Sequence, residues 1–204
     1  MKLIDLSVPI TKDMPVYPGD PRVVIKPAGT LQKDGFMDHY LSIGTHAGTH
    51  IDSPAHMLEN GKTLGDFPLA TFTGRGVCIE ITDKQFDVEK IKTANIQKND
   101  IVFFSTGLSE LFGQPAYFED YPAIPERVAT YLIEKQIKIV GVDTCSVDHE
   151  TFTSHKLLLQ NNILIIENLT NLKQLINKNF TVSAFPLMLS LDGSPVRVVA
   201  SVKE

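Results

Sequence analysis

Three histidines and an aspartate lie close together between residues 46 and 56, in the part of this sequence best suited to chemistry. They are His46, His50, Asp52 and His56. Imidazole and carboxylate groups bind divalent cations such as Zn²⁺ and Mn²⁺ in proteins, so this density predicts a metal site. His50 and Asp52 are two residues apart, which places both side chains on one face if the segment is extended. The alternative is that these are polar residues of the surface.

The glycine and proline residues of this segment limit the backbone conformations that it can adopt. His46 and His50 have the four-residue spacing of a helix, but Gly48 and Pro54 disfavour one here. We therefore expect a loop, interrupted by glycine, that folds its ligands around a cation.

A metal site also needs ligands from a distant part of the chain, and His155 and Glu167 are the best donors. His155 begins a short amphipathic run, and Glu167 follows the apolar, strand-like residues 163–166. A carboxylate at the end of a buried strand is costly unless it has a partner, and a metal ion would be such a partner. The alternative is a surface helix followed by a strand that ends in solvent.

The elements that must position these residues follow a mixed α/β pattern, in which predicted strands outnumber predicted helices. Apolar or alternating runs predict strands at 2–6, 22–26, 39–43, 76–81, 100–105, 138–142, 163–166, 181–185 and 196–202. Helical periodicity predicts helices at 88–95, 125–135, 154–161 and 170–177. The sequence contains no repeat and no long linker, so we expect residues 1–204 to form a single domain.

Composition excludes several classes of protein. The net charge is −5 without a cluster of Lys and Arg, which argues against nucleic-acid binding. No stretch approaches the roughly 18 apolar residues of a membrane span, and residues 1–6 lack the apolar core of a signal peptide. The two cysteines, Cys78 and Cys145, are too few for a disulfide framework. We expect a cytoplasmic protein that acts on a small molecule.

Two motifs carry a resemblance to a known family. The run from His46 to His56 resembles the H-x-G-T-H-x-D-x-P-x-H signature of the cyclase family of metal-dependent hydrolases, which includes bacterial kynurenine formamidases (arylformamidases) and isatin hydrolases. The run from His155 to Leu169 is similar to the family's H-x-x-L-L-x-x-x-I-x-I-I-E-N-L block. Further similar segments lie at 5–7, 15–20 and 141–144, so the resemblance covers most of the chain.

The resemblance implies a fold, an assembly and a set of roles. It implies a β/β/α arrangement of the swivelling type and a homo-oligomer, as a dimer or larger. It also implies two divalent cations per chain, with zinc expected and manganese possible. The implied first metal has the ligands His46, His50 and Asp52, and Asp52 bridges to a second metal completed by His155 and Glu167. The resemblance also implies that Glu167 contacts both ions. His56 matches the family's proton donor and acceptor.

Elementary chemistry agrees with these roles. Two divalent cations carry four positive charges, and Asp52 with Glu167 supply two negative ones, which favours a bridging hydroxide because metals lower the pKa of bound water. Such a hydroxide can attack a carbonyl that the metal polarises. A histidine can then pass the proton to the leaving nitrogen. His56 suits this role, and its alternative is a third metal ligand or a residue that orients one.

The sequence departs from the kynurenine formamidases at the expected substrate pocket. Those enzymes have a tryptophan where this chain has Tyr17, and this chain contains no tryptophan. Tyr17 lies between two prolines, so it could stack on a ring of the substrate or pack against the turn. The hydrolase chemistry does not depend on this residue.

The predicted function is hydrolysis of a C–N bond in a small aryl formamide, amide or cyclic lactam. The alternatives are a small lactone or ester as substrate, or a metal-binding member of the family without catalysis. Asp143 and Ser146 follow an apolar strand and could line the pocket or serve as structural residues. A nucleophilic pair of Cys145 and His149 is disfavoured because no third group is evident to orient the histidine.

Overall fold

The computed structural model describes residues 1–203 and shows a mixed α/β fold in which strands predominate. The strands are β1 (Lys2–Asp5), β2 (Val24–Gly29), β3 (Asp38–Ser42), β4 (His50–Asp52), β5 (Thr73–Glu80), β6 (Ile101–Ser105), β7 (Ile139–Val142), β8 (Leu164–Glu167), β9 (Phe180–Ser183), β10 (Gly193–Pro195) and β11 (Val199–Val202). The α-helices are α1 (Leu31–Asp34), α2 (Val88–Thr93), α3 (Glu126–Glu134) and α4 (Thr153–Gln160). Among the residues described, no helix has the length and apolar character to cross a membrane.

One sheet of nine strands organises these elements, in the order β1-β11-β9-β5-β6-β7-β8-β4-β10, and β2 pairs with β3 in a separate hairpin. Strands β5 to β8 are parallel to one another. The remaining pairs in the sheet are antiparallel. Every residue of β6 and β7 is buried, as expected for parallel strands that are covered on both faces.

The sheet must curl, because its two ends are joined by a very short segment. In a flat sheet the seven strand spacings between β11 and β10 would span about 34 Å. The chain passes from Pro195 to Val199, a distance of at most about 14 Å for four residues. Hydrogen bonds across the closed curl confirm the approach: Leu6 N donates to Val198 O at 2.9 Å, and Val196 N donates to Thr49 O at 2.9 Å.

Alternation along the strands divides the core into two parts. Phe103 of β6 and Ile166 of β8 pack inside the curl with residues of the N- and C-terminal strands. Their neighbours Phe104 and Ile165 lie on the other face, in a cluster that includes Leu132 of α3 and Leu158 of α4. Successive side chains of a strand point to opposite faces, so one apolar run serves both cores.

The mixed α/β class is confirmed, and most predicted strands occur within a few residues of their predicted bounds. The helix predicted at 170–177 is wrong: only the 3₁₀ turn Leu172–Leu175 forms there. Asn171 and Asn177 have left-handed φ values of 60° and 59°, which end any helix on both sides of this turn. The assignment of residues 1–204 to one domain remains a prediction.

Candidate metal centre and cavity

The pairing of β4 with β8 brings the two sequence motifs together. The register aligns His50 of β4 with Glu167 of β8, and His50 Nε2 lies 3.4 Å from Glu167 Oε2. Asp52 lies on the same face of β4, two residues after His50, while Ile51 between them enters the inner core. The expected loop is therefore wrong for residues 50–52, which form a strand. His50 and Asp52 lie on one face of it, as their spacing predicts for an extended segment.

Asp52 lies at the centre of the cluster and is fully buried. Its Oδ1 lies 2.8 Å from His46 Nδ1 and 3.4 Å from His50 Nε2. Its Oδ2 lies 3.9 Å from His155 Nε2 and has no hydrogen-bond partner. A buried carboxylate oxygen without a partner is costly. This orphaned oxygen among imidazole nitrogens fits a divalent cation.

Glu167 occupies the matching position on the other side of the cluster. Its Oε1 lies 3.2 Å from His155 Nε2 and accepts a hydrogen bond from Val147 N at 3.0 Å. Because its other oxygen lies near His50, this carboxylate is within reach of both histidines.

Two histidines have their outer ring nitrogens fixed by acceptors. His50 Nδ1 donates to Gly48 O at 2.7 Å, and His155 Nδ1 lies 2.6 Å from Asp148 Oδ1. Because Nδ1 is committed to an acceptor, Nε2 is the nitrogen that faces the carboxylates, as metal-binding histidines require. Asp148 also accepts hydrogen bonds from the backbone N of Ser154 and of His155. It thereby ties the first turn of α4 to the site.

Asp192 is a member of the cluster that the sequence reasoning missed. Its Oδ2 lies 2.8 Å from His46 Nε2 and 3.7 Å from His56 Nδ1. Ser53 fixes the backbone at this point, since its N and Oγ both donate to Asp192 O, at 2.8 and 2.9 Å. The next residue, Gly193, pairs with Asp52 across β10 and β4. Asp192 is far from the motif in sequence and belongs to no pattern that would have identified it.

Gly193 allows this close approach because it lacks a side chain. A Cβ atom at this position would lie 2.8 Å from His46 Cε1 and 3.2 Å from Ile51 O. The absence of a side chain at this position leaves room for the His46 ring beside Asp52.

His56 lies on the 3₁₀ turn Pro54–His56 that follows β4. Its ring centroid is 4.0 Å from that of His46 and 6.0 Å from that of His155. Within residues 1–203, two groups of side chains have ligand atoms close enough to hold an ion: His46, Asp52 and His56 form one, and His50, Asp52 and Glu167 form the other. Both roles considered for His56, proton transfer and metal ligation, are compatible with this position.

The charges of the cluster are mutually dependent. Burial alone would lower the pKa of His46, but hydrogen bonds to Asp52 and Asp192 raise it to about 9. Burial is likewise outweighed at Asp52, where the surrounding imidazoles of His50, His155 and His46 hold the pKa of the carboxyl well below its usual range. For His56, burial dominates and lowers the pKa, which favours the neutral imidazole. In the metal-free protein, protonated histidines thus neutralise the carboxylates, a role that cations would take over.

A cavity of about 210 Å³ opens directly above this cluster. Its walls are mainly apolar and aromatic, and its polar lining outside the cluster includes Asp20, Ser146 and Asn168. The apolar lining consists of Pro15, Val16, Tyr17, Met57, Phe112, Phe118 and Phe152. No Lys or Arg side chain is among the lining residues described, so the cavity is suited to an aromatic ligand with few polar groups.

Tyr17 begins a tight turn at the edge of the cavity. Asp20 N donates to Tyr17 O at 2.9 Å, and Gly19 has a φ of 102°, the positive φ that the third position of a type II turn requires. The Tyr17 ring packs edge-on against Phe118, with a centroid distance of 6.4 Å. Tyr17 therefore packs within the wall and also faces the cavity.

The other candidates from the sequence have structural contacts. Asp143 does not line this cavity, because its carboxylate accepts from Thr106 N and Gly107 N, both at 2.9 Å. His149 Nε2 contacts Tyr121 O at 3.1 Å. Cys145 does line the cavity, but burial raises the pKa of its thiol to about 12, which leaves it a poor nucleophile.

A mixed sheet with a buried cluster of histidines and carboxylates beneath a cavity is characteristic of a metal-dependent hydrolase. Residues 4–149 match the model of the Cyclase family, described as "putative cyclase", and the chain belongs to this family. The match includes the motif from His46 to His56. The resemblance inferred from the sequence is thus confirmed.

Individual relatives are similar over nearly the whole chain. An uncharacterized protein of Methanocaldococcus jannaschii is 38% identical, covering 98% of this chain and 99% of the relative. A kynurenine formamidase of Bacillus thuringiensis subsp. konkukian is 31% identical, covering 96% and 95%. The solved structure of a potential metal-dependent hydrolase with cyclase activity is 30% identical, covers 100% and 98%, and has a TM-score of 0.80. These matches extend beyond residue 149 and cover the part of the chain that contains the second motif.

Proposed function

We propose that this protein hydrolyses the C–N bond of a small aryl formamide, amide or cyclic lactam with the help of divalent cations. The observation that carries the proposal is the buried cluster around Asp52, with its orphaned oxygen, at the floor of a cavity with aromatic walls. Kynurenine formamidases among its relatives support the reaction class. The substrate itself is our inference.

The residues of the cluster fit two cations, with zinc expected and manganese as the alternative. His46, His50 and Asp52 would hold one, and Asp52, His155 and Glu167 would hold the other. When bound, such cations supply activated water and polarise a carbonyl oxygen. The protein supplies fixed histidine orientations and a buried, largely apolar setting in which these charges act strongly.

His56 would carry the proton during bond cleavage. It lies beside His46 and His155 at the cavity, and its Nδ1 is 3.7 Å from Asp192, too far for a hydrogen bond. A neutral imidazole in this position can accept a proton from water and donate it to the leaving nitrogen.

The cavity walls support a planar aromatic substrate. Tyr17 and Phe118 meet edge to face and present ring surfaces on which an aryl group can stack. An N-formylkynurenine-like chain or an isatin-like ring could occupy this space, and both require the same chemistry of the cluster.

We also infer a homo-oligomer, as a dimer or larger, located in the cytoplasm. Every residue of β3 is exposed, and the β2–β3 hairpin carries Phe36, Met37, Tyr40 and Leu41 with 50–66% of their surface exposed. Burial of such a hairpin against a second copy would remove apolar area from water. The cytoplasmic location is supported by two free cysteines. Light scattering of the purified protein tests the assembly.

The function can be tested with metal content and turnover measured on the same sample. Elemental analysis gives the ions per chain, and hydrolysis of N-formylkynurenine, formanilide and isatin is followed before chelation, after chelation and after metal is restored. About two ions with chelator-sensitive turnover is the expected result. Ions without turnover of any amide would favour a lactone or ester substrate, or a non-catalytic protein. Absence of bound metal would overturn the proposal.

A further inference from the structure

We propose that Asp192 is a positioning residue that controls binding of the cation on the His46 side of the cluster. The inference rests on the proposed function, because it assumes that two cations bind. It concerns a residue that belongs to neither sequence motif and that reaches the cluster from the segment before β10.

The first argument is the arrangement of acceptors around the three histidines. His50 and His155 each have an acceptor on Nδ1, Gly48 O and Asp148 respectively, and present Nε2 to the carboxylates. His46 is reversed. Its Nε2 lies 2.8 Å from Asp192 Oδ2, and its Nδ1 faces Asp52.

The second argument is the consequence for the tautomer of His46. A carboxylate can only accept a hydrogen bond, so Asp192 holds the proton on Nε2. In the metal-free protein Nδ1 also carries a proton, because it lies 2.8 Å from Asp52 Oδ1. A cation at Asp52 would displace that proton while Asp192 keeps the proton on Nε2, so the Nδ1 lone pair becomes available to the cation. An asparagine at position 192 could instead donate its amide hydrogen to Nε2, which would move the ring proton to Nδ1 and block that lone pair.

The third argument is that the carboxylate can be changed with little disturbance of the fold. The Asp192 side chain is 36% exposed, whereas that of Asp148 is 7% exposed. Hydrogen bonds from Ser53 N and Ser53 Oγ to the backbone carbonyl of Asp192 fix the position of this residue. Asp192→Asn keeps these contacts and nearly the same volume.

The test measures metal binding directly. Wild type, Asp192→Asn and Asp192→Glu are loaded with Zn²⁺ and titrated against a chromophoric chelator, with ions per chain from elemental analysis. We expect two ions in wild type. In Asp192→Asn one ion should keep its affinity and the other should bind about 10- to 100-fold more weakly. Asp192→Glu, which restores the carboxylate, should recover part of this loss.

A double variant identifies which ion is affected. His155→Asn removes a ligand from the opposite side of the cluster and should weaken one ion. If Asp192 acts on the His46 side, His155→Asn combined with Asp192→Asn should weaken both ions. Thermal unfolding of the metal-free variants checks that the fold is intact.

Several results would contradict the inference. If Asp192→Asn binds two ions with wild-type affinities, the role of Asp192 is refuted and the proposed function stays intact. The same conclusion follows if the double variant binds only one of its ions more weakly than wild type does. Equal weakening of both ions by Asp192→Asn would show a general effect on the site and refute the assignment to one side. If the wild-type protein binds only one ion, the premise of two bound cations is wrong and the inference about Asp192 fails with it. If it binds no ion, the proposed function is also wrong.

Discussion

His56 is the residue on which the distinction between hydrolysis and simple metal binding depends. Replacement by alanine removes the group that would transfer the proton, and general acid–base catalysis contributes about 10²- to 10⁴-fold. We therefore expect His56→Ala to lower kcat by at least about 100-fold while metal content stays at the wild-type value. Steady-state kinetics and elemental analysis on the same preparation provide the measurement.

His56 also belongs to one of the two groups that could hold an ion, so loss of metal is the informative contrary result. If His56→Ala loses an ion together with activity, His56 is a ligand and the proton-transfer role is wrong. His39→Ala offers a matched control, since His39 lies on exposed β3 outside the cluster.

At the scale of single residues, the sequence identified the groups with motif spacing and missed those without it. His50, Asp52 and Glu167 could be predicted because residue type and spacing within one segment carry the signal. Asp148 and Asp192 contact histidines through the tertiary fold, and a lone aspartate in a connecting segment has no local pattern. Side chains that reach a cluster only through the tertiary fold are therefore less visible in a sequence than those that belong to a motif.

The turn from Tyr17 to Asp20 is the element that brings an aromatic ring to the cavity edge. If Tyr17 stacks on the substrate, Tyr17→Ala should raise KM about 3- to 10-fold, because an aromatic contact contributes roughly 0.5–1.5 kcal/mol, and should leave kcat nearly unchanged. Tyr17→Phe keeps the ring and should retain the wild-type KM. An unchanged KM in Tyr17→Ala would leave Tyr17 as a packing residue of the turn.

The short strand β10 determines how closely the Asp192 segment approaches His46. Gly193→Ala would place a Cβ 2.8 Å from His46 Cε1, a contact that forces the ring away from Asp52. We expect metal affinity to fall at least tenfold, measured by chelator competition. Gly44→Ala is the matched control from the same region, since its nearest contact would be Pro21 Cδ at 3.7 Å. Equal metal affinity in the two variants would contradict this account.

The secondary structure predicted from the sequence was wrong mainly at short elements. β4 and β10 have three residues each, too few for alternation to distinguish a strand from a loop, and their pairing with β8 and with each other defines them. The segment 170–177 has apolar residues at helical spacing, but its asparagines adopt left-handed conformations. The long apolar runs of β6 and β7 could be predicted because burial on both faces leaves a strong signal.

For the molecule as a whole, metal loading should contribute strongly to stability. The cluster joins β4, α4, β8 and the segment before β10, so unfolding destroys the site. A ligand present at 1,000 times its Kd stabilises the native state by about 4 kcal/mol, which corresponds to roughly 8–16 °C for a chain of this size. Thermal unfolding with and without chelator measures the shift.

A variant without the central carboxylate provides the control for this experiment. Asp52→Asn should bind cations poorly, so chelator should change its Tm little. If chelator lowered the Tm of Asp52→Asn as much as that of wild type, the stabilising metal would have to bind elsewhere.

The short connection between β10 and β11 has a consequence for the behaviour of shortened chains. Residues from Gly193 onward supply one partner of β4, the strand between β1 and β9, and the link that closes the curl. A chain cut before Gly193 would leave three strands with unpaired backbone groups at once. Unpaired strand edges are templates for association with other chains. Such a fragment should therefore aggregate through its open edges rather than persist as a smaller soluble unit.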